Sequence, residues 1–521
     1  MSEAVRRELP ENWASTELSN IAEINPPLDR CIVSDDVPVD FVPMRAVEPE
    51  GGGLLRPEVL TYGKVKKGYT AFVPGDVIMA KITPCMENGK TCVVPELPGA
   101  ACFGSTEFHV LRAEGGIEAR WIANYLLQHS TRHTAERQMA GGVGQMRVPS
   151  AFLERLAVPV PPTSEQVRIL DTLDELLSDL DAGVAALERV RAKLKHYRAA
   201  VLKAAVEGAL TAEWRGQHPA TEAAVALLTR ILTERRRRWE EGQLAKYQVA
   251  GKSPPKDWQA KYKQPVGPKR DGLPALSQAW CWATADQLCT LINDGEHIQP
   301  PYQPVGFPML TAKHVRDGFV EFRNVELISK SDFDACLKRC APAENDVLIV
   351  SVGATTGRAA IVGGCDPFAI VRSVLLLKPI FAPRFLLRWI QSPWCQTYIR
   401  RASGSSAQAH LYIADTKRIP VPLPPLEEQE AIIEAVEDQL SVIEHLEDDL
   451  EAKLKSAQAL RQSILRHAFT GRLVRQDPNA EPASELLKRI AADREERARQ
   501  VRAAKHAKQK PRTLRRRVTK N

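Results

Sequence analysis

Few residues in this chain have the types and spacing that chemistry requires. Cys336 and Cys340 are the closest pair among ten cysteines, but a zinc site would need a second pair or a histidine cluster, which the sequence lacks. The stretch GATTGR (353–358) has no Lys-Ser/Thr ending and is not a Walker loop. It indicates a turn leaving a buried strand, or backbone amides that approach phosphates. We expect reduced, partly buried thiols and no bound metal.

One short motif raises a catalytic alternative. Asn25-Pro26-Pro27-Leu28 resembles the Asn-Pro-Pro-aromatic loop of amino-methyltransferases, in which the asparagine and a prolyl carbonyl hold the target amine. Leu28 lacks the aromatic face that stacks on an extruded base, and no glycine-rich turn for a methyl donor accompanies the motif. The sequence also shows no nuclease cluster, helicase motif or nucleophile beside a base. The motif predicts a turn, and a catalytic DNA adenine methyltransferase is the alternative.

Length and charge set broad limits. A chain of 521 residues predicts three or four structural units. No apolar run approaches the roughly 18–20 residues that span a bilayer, and no signal-type N-terminus is present, so we expect a cytoplasmic protein without a membrane partner. The net charge of +7 belongs to residues 483–521, which hold 14 Lys and Arg against 4 Asp and Glu. Nucleic-acid contacts by the body must therefore come from local patches.

The segments that would position any site occur twice in the sequence. The segment VPVPPTSEQ (158–166) recurs as VPLPPLEEQ (421–429), and AVLKAAVEGAL (200–210) recurs as SILRHAFTGRL (463–473). The offset of 263 residues holds without insertion for about ninety residues, whereas upstream it drifts. The chain is therefore organised as a variable globular domain followed by a uniform helix, twice over.

Each uniform segment predicts a long helix. Two prolines end the preceding domain, Thr163 and Gln166 have the spacing of a capping box, and Gly208 and Gly471 fit as C-terminal stops. Each helix of about forty residues, roughly 60 Å, carries apolar residues at 3-4 spacing. We expect the two helices to pair antiparallel, and packing of each on its own domain is the alternative. The seam positions are Ile169, Leu173, Leu176, Leu180, Leu187, Val190, Leu194, Tyr197, Val201, Ile432, Val436, Ile443, Leu446, Leu450, Leu460 and Ile464.

The segments before the helices predict mixed domains. Apolar runs at 76–82 and 346–352 indicate buried strands, and amphipathic helices are expected at 118–138 and 382–400. The fold class is α+β: two mixed α/β domains, separated by two long antiparallel helices that form a coiled coil, with a pseudo-twofold internal repeat. The predicted boundaries are 1–161 for the first domain, 162–211 for the first long helix, 212–271 for a charged extension and linker, 272–424 for the second domain, 425–474 for the second long helix and 475–521 for a basic extension.

The assembled pattern resembles the specificity subunit of type I restriction-modification enzymes. The motifs are Leu-Pro-x-x-Trp at 9–13, GDVIMAKITPCMENGK at 75–90 and Pro-Pro-x-x-Glu-Gln at 161–166 and 424–429, and the resemblance spans residues 9–475. It implies two target-recognition domains, each reading half of an asymmetric bipartite site in double-stranded DNA. It also implies that the helix pair sets the spacer and docks two methyltransferase subunits, with two restriction subunits joining the complex. This chain would then be non-catalytic, and S-adenosylmethionine, ATP and Mg would act on the partner subunits.

Two features lie outside that pattern. Residues 212–271 include Arg235 to Arg238 with Trp239, and the tail includes Arg515-Arg516-Arg517. Each extension predicts an amphipathic helix, at about 221–240 and 484–503. They are interpreted as solvated charged helices, or as extra contacts to DNA or partner subunits. A coiled-coil adaptor without sequence reading is the remaining alternative for the whole chain.

Base-reading candidates come from polar residues next to predicted strand ends and loops. Arg, Lys, Asn, Gln and hydroxyl side chains read base edges, but over half of DNA contacts go to the backbone, so each is also a candidate for a phosphate contact. The first-domain candidates are Lys81, Thr83, Asn88, Lys90, Gln145 and Arg147. The second-domain candidates are Lys313, His314, Arg316, Thr355, Thr356, Arg358, Gln408 and His410.

Overall fold

The chain forms two compact units in a computed structural model. Unit 1 comprises Met1–Leu187 with Glu451–Asn521, and unit 2 is Glu188–Leu450. Each unit contains one globular domain and parts of both long helices. Leu28, Gln408 and the Arg515–Arg517 run lie outside the described residues. The structure describes residues 9–27, 34–99, 101–142, 145–219, 222–269, 272–404 and 409–509.

Unit 1 is built on two four-stranded sheets and a strand pair. Its strands are β1 (Ala14–Glu17), β2 (Ala22–Ile24), β3 (Pro38–Val42), β4 (Glu58–Thr61), β5 (Thr70–Phe72), β6 (Val77–Ala80), β7 (Thr91–Val93), β8 (Cys102–Gly104), β9 (Phe108–Ala113) and β10 (Ala157–Val160). The sheet orders are β2-β9-β6-β7 and β4-β3-β8-β5, and β1 pairs antiparallel with β10. The domain's helices are Tyr62–Val65, Ala119–Leu127, His129–Arg137 and Ser150–Glu154.

Unit 2 repeats this plan with a smaller second sheet. Its strands are β11 (Cys281–Thr284), β12 (Cys289–Asp294), β13 (Phe307–Leu310), β14 (Glu326–Ile328), β15 (Val347–Val350), β16 (Ala359–Ile361), β17 (Ala369–Ile370), β18 (Val374–Pro379) and β19 (Pro420–Leu423). The orders are β12-β18-β15-β16 and β14-β13-β17, and β11 pairs antiparallel with β19. The domain's helices are Ala285–Leu288, Lys330–Arg339, Pro383–Gln391, Pro393–Ala402 and Ile413–Lys417. The mixed α/β character predicted for both domains is confirmed.

The central strands β6 and β15 are the two buried strands that the sequence predicts. Every residue of each is buried, because alternate side chains enter two different cores. Val77 and Met79 join the core that contains Trp121, whereas Ile78 and Ala80 join the core between the two sheets. β15 divides its side chains in the same way. Burial on both faces explains why these strands are apolar throughout rather than alternating.

The turn before each central strand is also built alike. Gly75 and Asn345 both have positive φ, 86° and 68°, a region that glycine and asparagine tolerate best. Asp76 accepts a hydrogen bond from the Val73 amide at 2.9 Å and pairs with Arg112 at 2.7 Å. Asp346 likewise accepts from the Ala343 amide at 2.8 Å and pairs with Lys378 at 2.6 Å. The repeated aspartate therefore closes the turn and neutralises a cation on the adjacent strand.

The predicted helices at 118–138 and 382–400 are each two helices. Gln128 and Ser392 interrupt them with extended backbone, at ψ of 136° and 148°. Ser392 accepts from the Cys395 amide and so caps the following helix, and Pro393 cannot continue the preceding one. The expectation of single helices was wrong because amphipathic spacing continues across the break.

Both long helices are confirmed, with 44 residues each. The first long helix is Thr163–Val206 and the second long helix is Leu426–Phe469. Gly208 and Gly471 follow their ends at φ of 72° and 69°, as expected for C-terminal stops. The prediction of a capping box was wrong. Thr163 is the first helical residue and so does not occupy the N-cap position, and the residue that does, Pro162, has no N–H for Gln166 to accept.

The Glu-Gln ending of the repeated motif has a different purpose. Gln166 donates to the Pro161 carbonyl at 3.2 Å, and Gln429 donates to the Pro424 carbonyl at 2.8 Å. Both glutamines are fully buried. In each unit, this side chain fixes the proline step to the first turn of the helix, which explains why Pro-Pro-x-x-Glu-Gln recurs.

The preceding glutamates lie at junctions between the helices and the domains. Glu428 accepts hydrogen bonds from Trp280 at 2.8 Å, Thr211 at 2.7 Å and Arg215 at 2.7 Å. Trp280 belongs to the opening of the second domain, and Thr211 lies just beyond the first long helix. In unit 1, Gly471 lies against Pro10, so the opening of the first domain likewise meets the end of the second long helix. The Leu-Pro…Trp openings are therefore structural parts of these junctions.

The long helices pair antiparallel within each unit. In unit 2, the last turns of the first long helix share a core with the first turns of the second, and Arg198 pairs with Glu444 at 3.4 Å. In unit 1, Ile169 and Leu173 share a core with Ile464. The seam prediction was wrong at Leu176, Val190, Leu446 and Leu460, which are exposed. Tyr197 is also exposed, but its hydroxyl donates to Gln439 of the second long helix at 2.8 Å, so Tyr197 lies at the contact between the helices.

Each extension folds back onto a globular domain. The first extension helix, Ala224–Val249, follows the short helix Ala212–Gln217 and buries Leu227 and Ile231 in the unit 2 core. The second extension helix, Ala483–Gln509, buries Leu486 and Ile490 in the unit 1 core. Both helices were predicted, but their apolar faces are docked rather than solvated.

The remaining expectations concern thiols and membranes. Cys336 and Cys340 are both buried, and burial raises the pKa of Cys340 to about 12, so the thiolate that metals bind is disfavoured. Within the described part of the chain, no group of three or more His, Cys, Asp or Glu side chains could hold a metal ion. The same residues include no helix that is both long and apolar enough to cross a bilayer.

Candidate nucleic-acid interface

The first candidate surface lies where β6 ends. Ala80 pairs with Phe108 at the start of β9, so Lys81 and the residues before β9 meet at one edge of the sheet. A cleft of 670 Å³ opens there. It offers an ammonium group, hydroxyls and aromatic rings, which suit phosphate, sugar and base contacts. The cleft is lined by Asn25, Pro26, Pro27, Tyr69, Thr70, Ala71, Lys81, Phe108, His109, Val110 and Ser150.

The loop before the short helix Ser150–Glu154 joins this edge through the backbone. The Val148 amide donates to the Lys81 carbonyl at 2.8 Å, and the Thr83 amide donates to the Met146 carbonyl at 3.0 Å. Gln145 is exposed on this loop. Four predicted candidates, Lys81, Thr83, Gln145 and Arg147, are therefore brought together.

Arg147 is held by an acidic neighbour. Its guanidinium donates to both carboxylate oxygens of Glu107, at 2.9 and 2.8 Å, and this hydrogen bonding lowers the pKa of Glu107. Arg147 is therefore fixed in orientation and locally neutralised. Among the described residues Lys81 forms no ion pair, so Lys81 supplies the uncompensated charge at this edge.

Asn25 has a structural role that leaves little for catalysis. Its side-chain oxygen accepts from the Val110 amide at 3.1 Å, and its side-chain amide faces His109 Nδ1 at 3.2 Å. His109 donates through Nε2 to the Val148 carbonyl at 2.8 Å, and burial lowers the pKa of His109, which favours the neutral ring. Asn25 itself has φ of 53°. Asn25 is therefore a bend that holds β9 through Val110, and the predicted turn continues into Leu28, outside the described residues.

The other two first-domain candidates differ in availability. Asn88 is exposed in a turn. Lys90, however, donates to the carbonyls of Met44 and Val47 at 3.0 and 2.9 Å. Its ammonium therefore stabilises a neighbouring 3-10 turn, and base reading by Lys90 is contradicted by these internal bonds.

The second candidate surface lies where β15 ends. The stretch 353–358 is a turn, as predicted, in which the Thr356 hydroxyl donates to the Gly353 carbonyl at 2.7 Å. The amides of residues 353 and 356–358 donate internally, which leaves at most the amides of residues 354 and 355 for a phosphate. His410 bridges Val352 from the neighbouring loop. Thr355, Arg358 and His410 therefore lie around one strand end, whereas Gln408 lies outside the described residues.

A second group of candidates lies on the smaller sheet of unit 2. Lys313 and Arg316 are exposed but face Glu326 and Glu321, at 3.8 and 2.6 Å. His314 is buried and accepts from the Thr311 amide at 3.0 Å. Burial lowers the pKa of His314. His314 is therefore part of the core, and its assignment to base reading was wrong.

The cleft in unit 1 includes residues that sequence reasoning missed. Tyr69, Thr70, Phe108 and Ser150 line it, although none lies in the loops singled out from the sequence. Only the pairing of β5 and β9 into neighbouring sheets brings them to the same edge. The one local signal was the proline pair after Asn25, since Pro26 and Pro27 also line the cleft.

Comparisons with known proteins identify the family to which this fold belongs. The family model described as "Type I restriction modification DNA specificity domain" matches residues 10–189 and 288–456. These two regions cover more than half of the chain and coincide with the duplicated halves. The chain belongs to this family, which assigns it to the specificity subunits of type I restriction-modification systems and not to their catalytic subunits.

Individual relatives extend over most of the chain. The EcoAI specificity subunit of Escherichia coli is 28% identical over 481 residues, covering 82% of this chain and 77% of the relative. The EcoBI specificity subunit of Escherichia coli is 30% identical over 356 residues, covering 66% of each. A solved chain from "Structural basis underlying complex assembly and conformational transition of the type I R-M system" has a TM-score of 0.56 at 19% identity, covering 89% of this chain and 99% of that one. That structure supports the fold.

Proposed function

We propose that the chain reads an asymmetric bipartite site in double-stranded DNA, one half with each globular domain. The observation that carries this proposal is the pair of strand ends after β6 and β15. Both stand on the same buried scaffold with the same aspartate turn. Their exposed side chains differ, since Lys81 and Gln145 occupy one and Thr355, Arg358 and His410 the other. A common frame with unlike contact residues suits two different half-sites.

The long helices would set the separation of the half-sites. Each has 44 residues, about 66 Å at 1.5 Å per residue, and each contributes residues to both units. Antiparallel pairing within each unit supports a continuous coiled coil with a fixed register. The spacer in the DNA would then be fixed by helix length, as half-site spacing is fixed by the geometry of dimeric repressors.

The internal repeat would also allow two identical partner subunits to bind. The buried junctions of the two units, Trp280 with Glu428 and Trp13 beside Glu165, are built on the same sequence motif, so the surfaces around them would be two related docking regions. Two copies of a methyltransferase subunit suit such a pseudo-twofold repeat, and two restriction subunits would join through the complex. The methyltransferase subunits would bind S-adenosylmethionine, and the restriction subunits would bind ATP and Mg.

Footprinting tests the proposal on the reconstituted complex of this chain with its methyltransferase subunits. The target is first located by methylome sequencing of the host with and without the gene. Protection of two short blocks around an indifferent spacer is the expected result. Uniform protection would instead support an adaptor without sequence reading.

A pair of variants assigns each block to a domain. Gln145→Ala should relax only the block read by the first domain, and Arg358→Ala only the other, because each residue lies at a separate strand end. Loss of both blocks in either single variant would contradict the assignment of one half-site to each domain.

A further inference from the structure

A basic and aromatic cavity lies on the first extension of unit 2. Its volume is 410 Å³. One wall is the first extension helix, another is the linker around Tyr262, and the floor includes Thr290 at the start of β12. The lining residues are Arg235, Arg238, Trp239, Lys261, Tyr262, Lys263 and Thr290. The lining therefore contains four cations and two aromatic rings, and no carboxylate.

The cavity is a built feature, since its walls are tied together. Arg235 donates to the Cys289 carbonyl at 2.9 Å and to the Tyr262 hydroxyl at 2.8 Å. Trp239 packs edge-on against Tyr262, with ring centroids 5.3 Å apart. The Val266 amide donates to Asp286 at 3.3 Å, which anchors the linker to the domain. The Pro/Lys-rich linker is thus folded against the protein at this point.

Two of the four cations are uncompensated. Arg235 pairs with Asp286 and Arg238 pairs with Glu234, at 3.4 and 2.6 Å. Lys261 and Lys263 are exposed, and within the described residues neither of them forms an ion pair. Arg235 and Arg236 lie over the Tyr262 ring at 5.6 and 5.7 Å, and Trp258 stacks on Trp239 with ring centroids 5.9 Å apart. Trp239 lines the cavity whereas Trp258 does not, so the second face of Trp239 is the one offered to a base, and the two lysines are offered to a phosphate.

The cavity is separate from the surface assigned to reading. Cys289 pairs with Pro379, and Val347 pairs with Leu377, so Thr290 lies at the end of the sheet where β15 begins. The turn 353–358 follows the opposite end of β15. A duplex held at that turn would be read without this cavity.

We propose that this cavity binds single-stranded DNA, with a phosphodiester between Lys261 and Lys263 and an unpaired base against Trp239. An unpaired base can enter a concave pocket, whereas a duplex keeps its bases stacked inside. The activity goes beyond recognition of a double-stranded target and rests on three side chains of the extension, Lys261, Lys263 and Trp239.

The test uses the full chain in complex with its methyltransferase subunits and a fluorescein-labelled ten-nucleotide oligothymidine. Binding is followed by fluorescence anisotropy between about 0.05 and 0.3 M salt. Lys261→Ala with Lys263→Ala should weaken binding roughly ten- to thirtyfold near 0.1 M salt and reduce the salt slope by about 1.4, because two phosphate contacts are lost. The matched control replaces Lys252 and Lys269, exposed lysines of the same linker that do not line the cavity.

Three outcomes would overturn the proposal. They are absence of oligothymidine binding by the unaltered complex, an equal loss in the control pair, and equal competition by a ten-residue glutamate peptide, which would make this an acidic-peptide site. Footprints on the double-stranded target should be unchanged in the Lys261/Lys263 variant. Failure of single-strand binding therefore leaves the proposed reading of duplex DNA intact, and the two proposals fail independently.

Discussion

Glu165 and Glu428 occupy equivalent positions of the repeat and should respond in opposite ways to the same substitution. Glu428 is buried and accepts from Trp280, Thr211 and Arg215 at 2.7–2.9 Å. Glu428→Gln would leave the Arg215 guanidinium without its counter-charge. Breaking a buried pair in this way costs about 3 kcal/mol, which lowers the melting temperature of a unit this size by roughly 6–12 °C.

Glu165 lacks that network. The equivalents of Thr211 and Arg215 are Val474 and Pro478, and neither carboxylate oxygen of Glu165 has a hydrogen-bond partner among the described residues. Burial raises the pKa of Glu165, and the nearby Trp13 and Gln476 lower it by less. Glu165→Gln removes a buried charge, so the variant should be as stable as the unaltered chain, or more stable.

The sign of the pH dependence separates the two sites further. A carboxyl whose pKa is raised in the folded state retains its proton where the unfolded chain has released it, so stability falls as pH rises above the unfolded value. The advantage of Glu165→Gln should therefore be larger at pH 7 than at pH 4. Calorimetric unfolding of both variants at the two pH values, with hydrogen exchange at the starts of the long helices, measures this. Equal destabilisation by the two substitutions would refute the reasoning.

Other predictions concern the strand-end surfaces and the Asn25 turn. Arg358→Ala should lower the salt slope of target binding by about 1 without affecting the first half-site, as measured by anisotropy; an unchanged slope would contradict a phosphate or base contact. Lys90→Ala should destabilise unit 1 by about 1–3 kcal/mol because two carbonyls lose their donor, while the half-site sequences in the methylome stay the same. Asn25→Ala should cost a similar free energy of unfolding but leave methylation by the complex intact; loss of methylation with unchanged stability would revive the catalytic alternative.

Much of the scaffold could be predicted because its signals are local. The proline step before each long helix, the stops at Gly208 and Gly471, and the apolar runs of β6 and β15 all depend on neighbouring residues. The internal repeat strengthens the prediction of the two long helices, because the same signals occur twice in register. The breaks at Gln128 and Ser392 were not predicted, because amphipathic spacing resumes in phase after one extended residue.

The candidate site was less predictable, since it depends on contacts between distant segments. Lys90 meets carbonyls more than forty residues away, and His314 is buried by tertiary packing, so neither role is visible in a loop's composition. The role of the glutamate in the repeated Glu-Gln depends on a hydrogen bond between Trp280 and Glu428, which are 148 residues apart. The type of a polar residue in a loop indicates that it could contact DNA. Whether its side chain is free to do so depends on its partners in the folded protein.

The most direct test of the account is the spacer length after a change in the first long helix. Four residues, about one turn or 6 Å, are inserted between Leu173 and Leu194, and the methylome is sequenced; the control carries the same insertion in the exposed linker at 252–256. We predict that both half-site sequences persist while the permitted spacer changes by one or two base pairs, at about 3.4 Å each. An unchanged spacer in a folded, methylating complex would contradict the claim that the helix pair sets the distance between the half-sites.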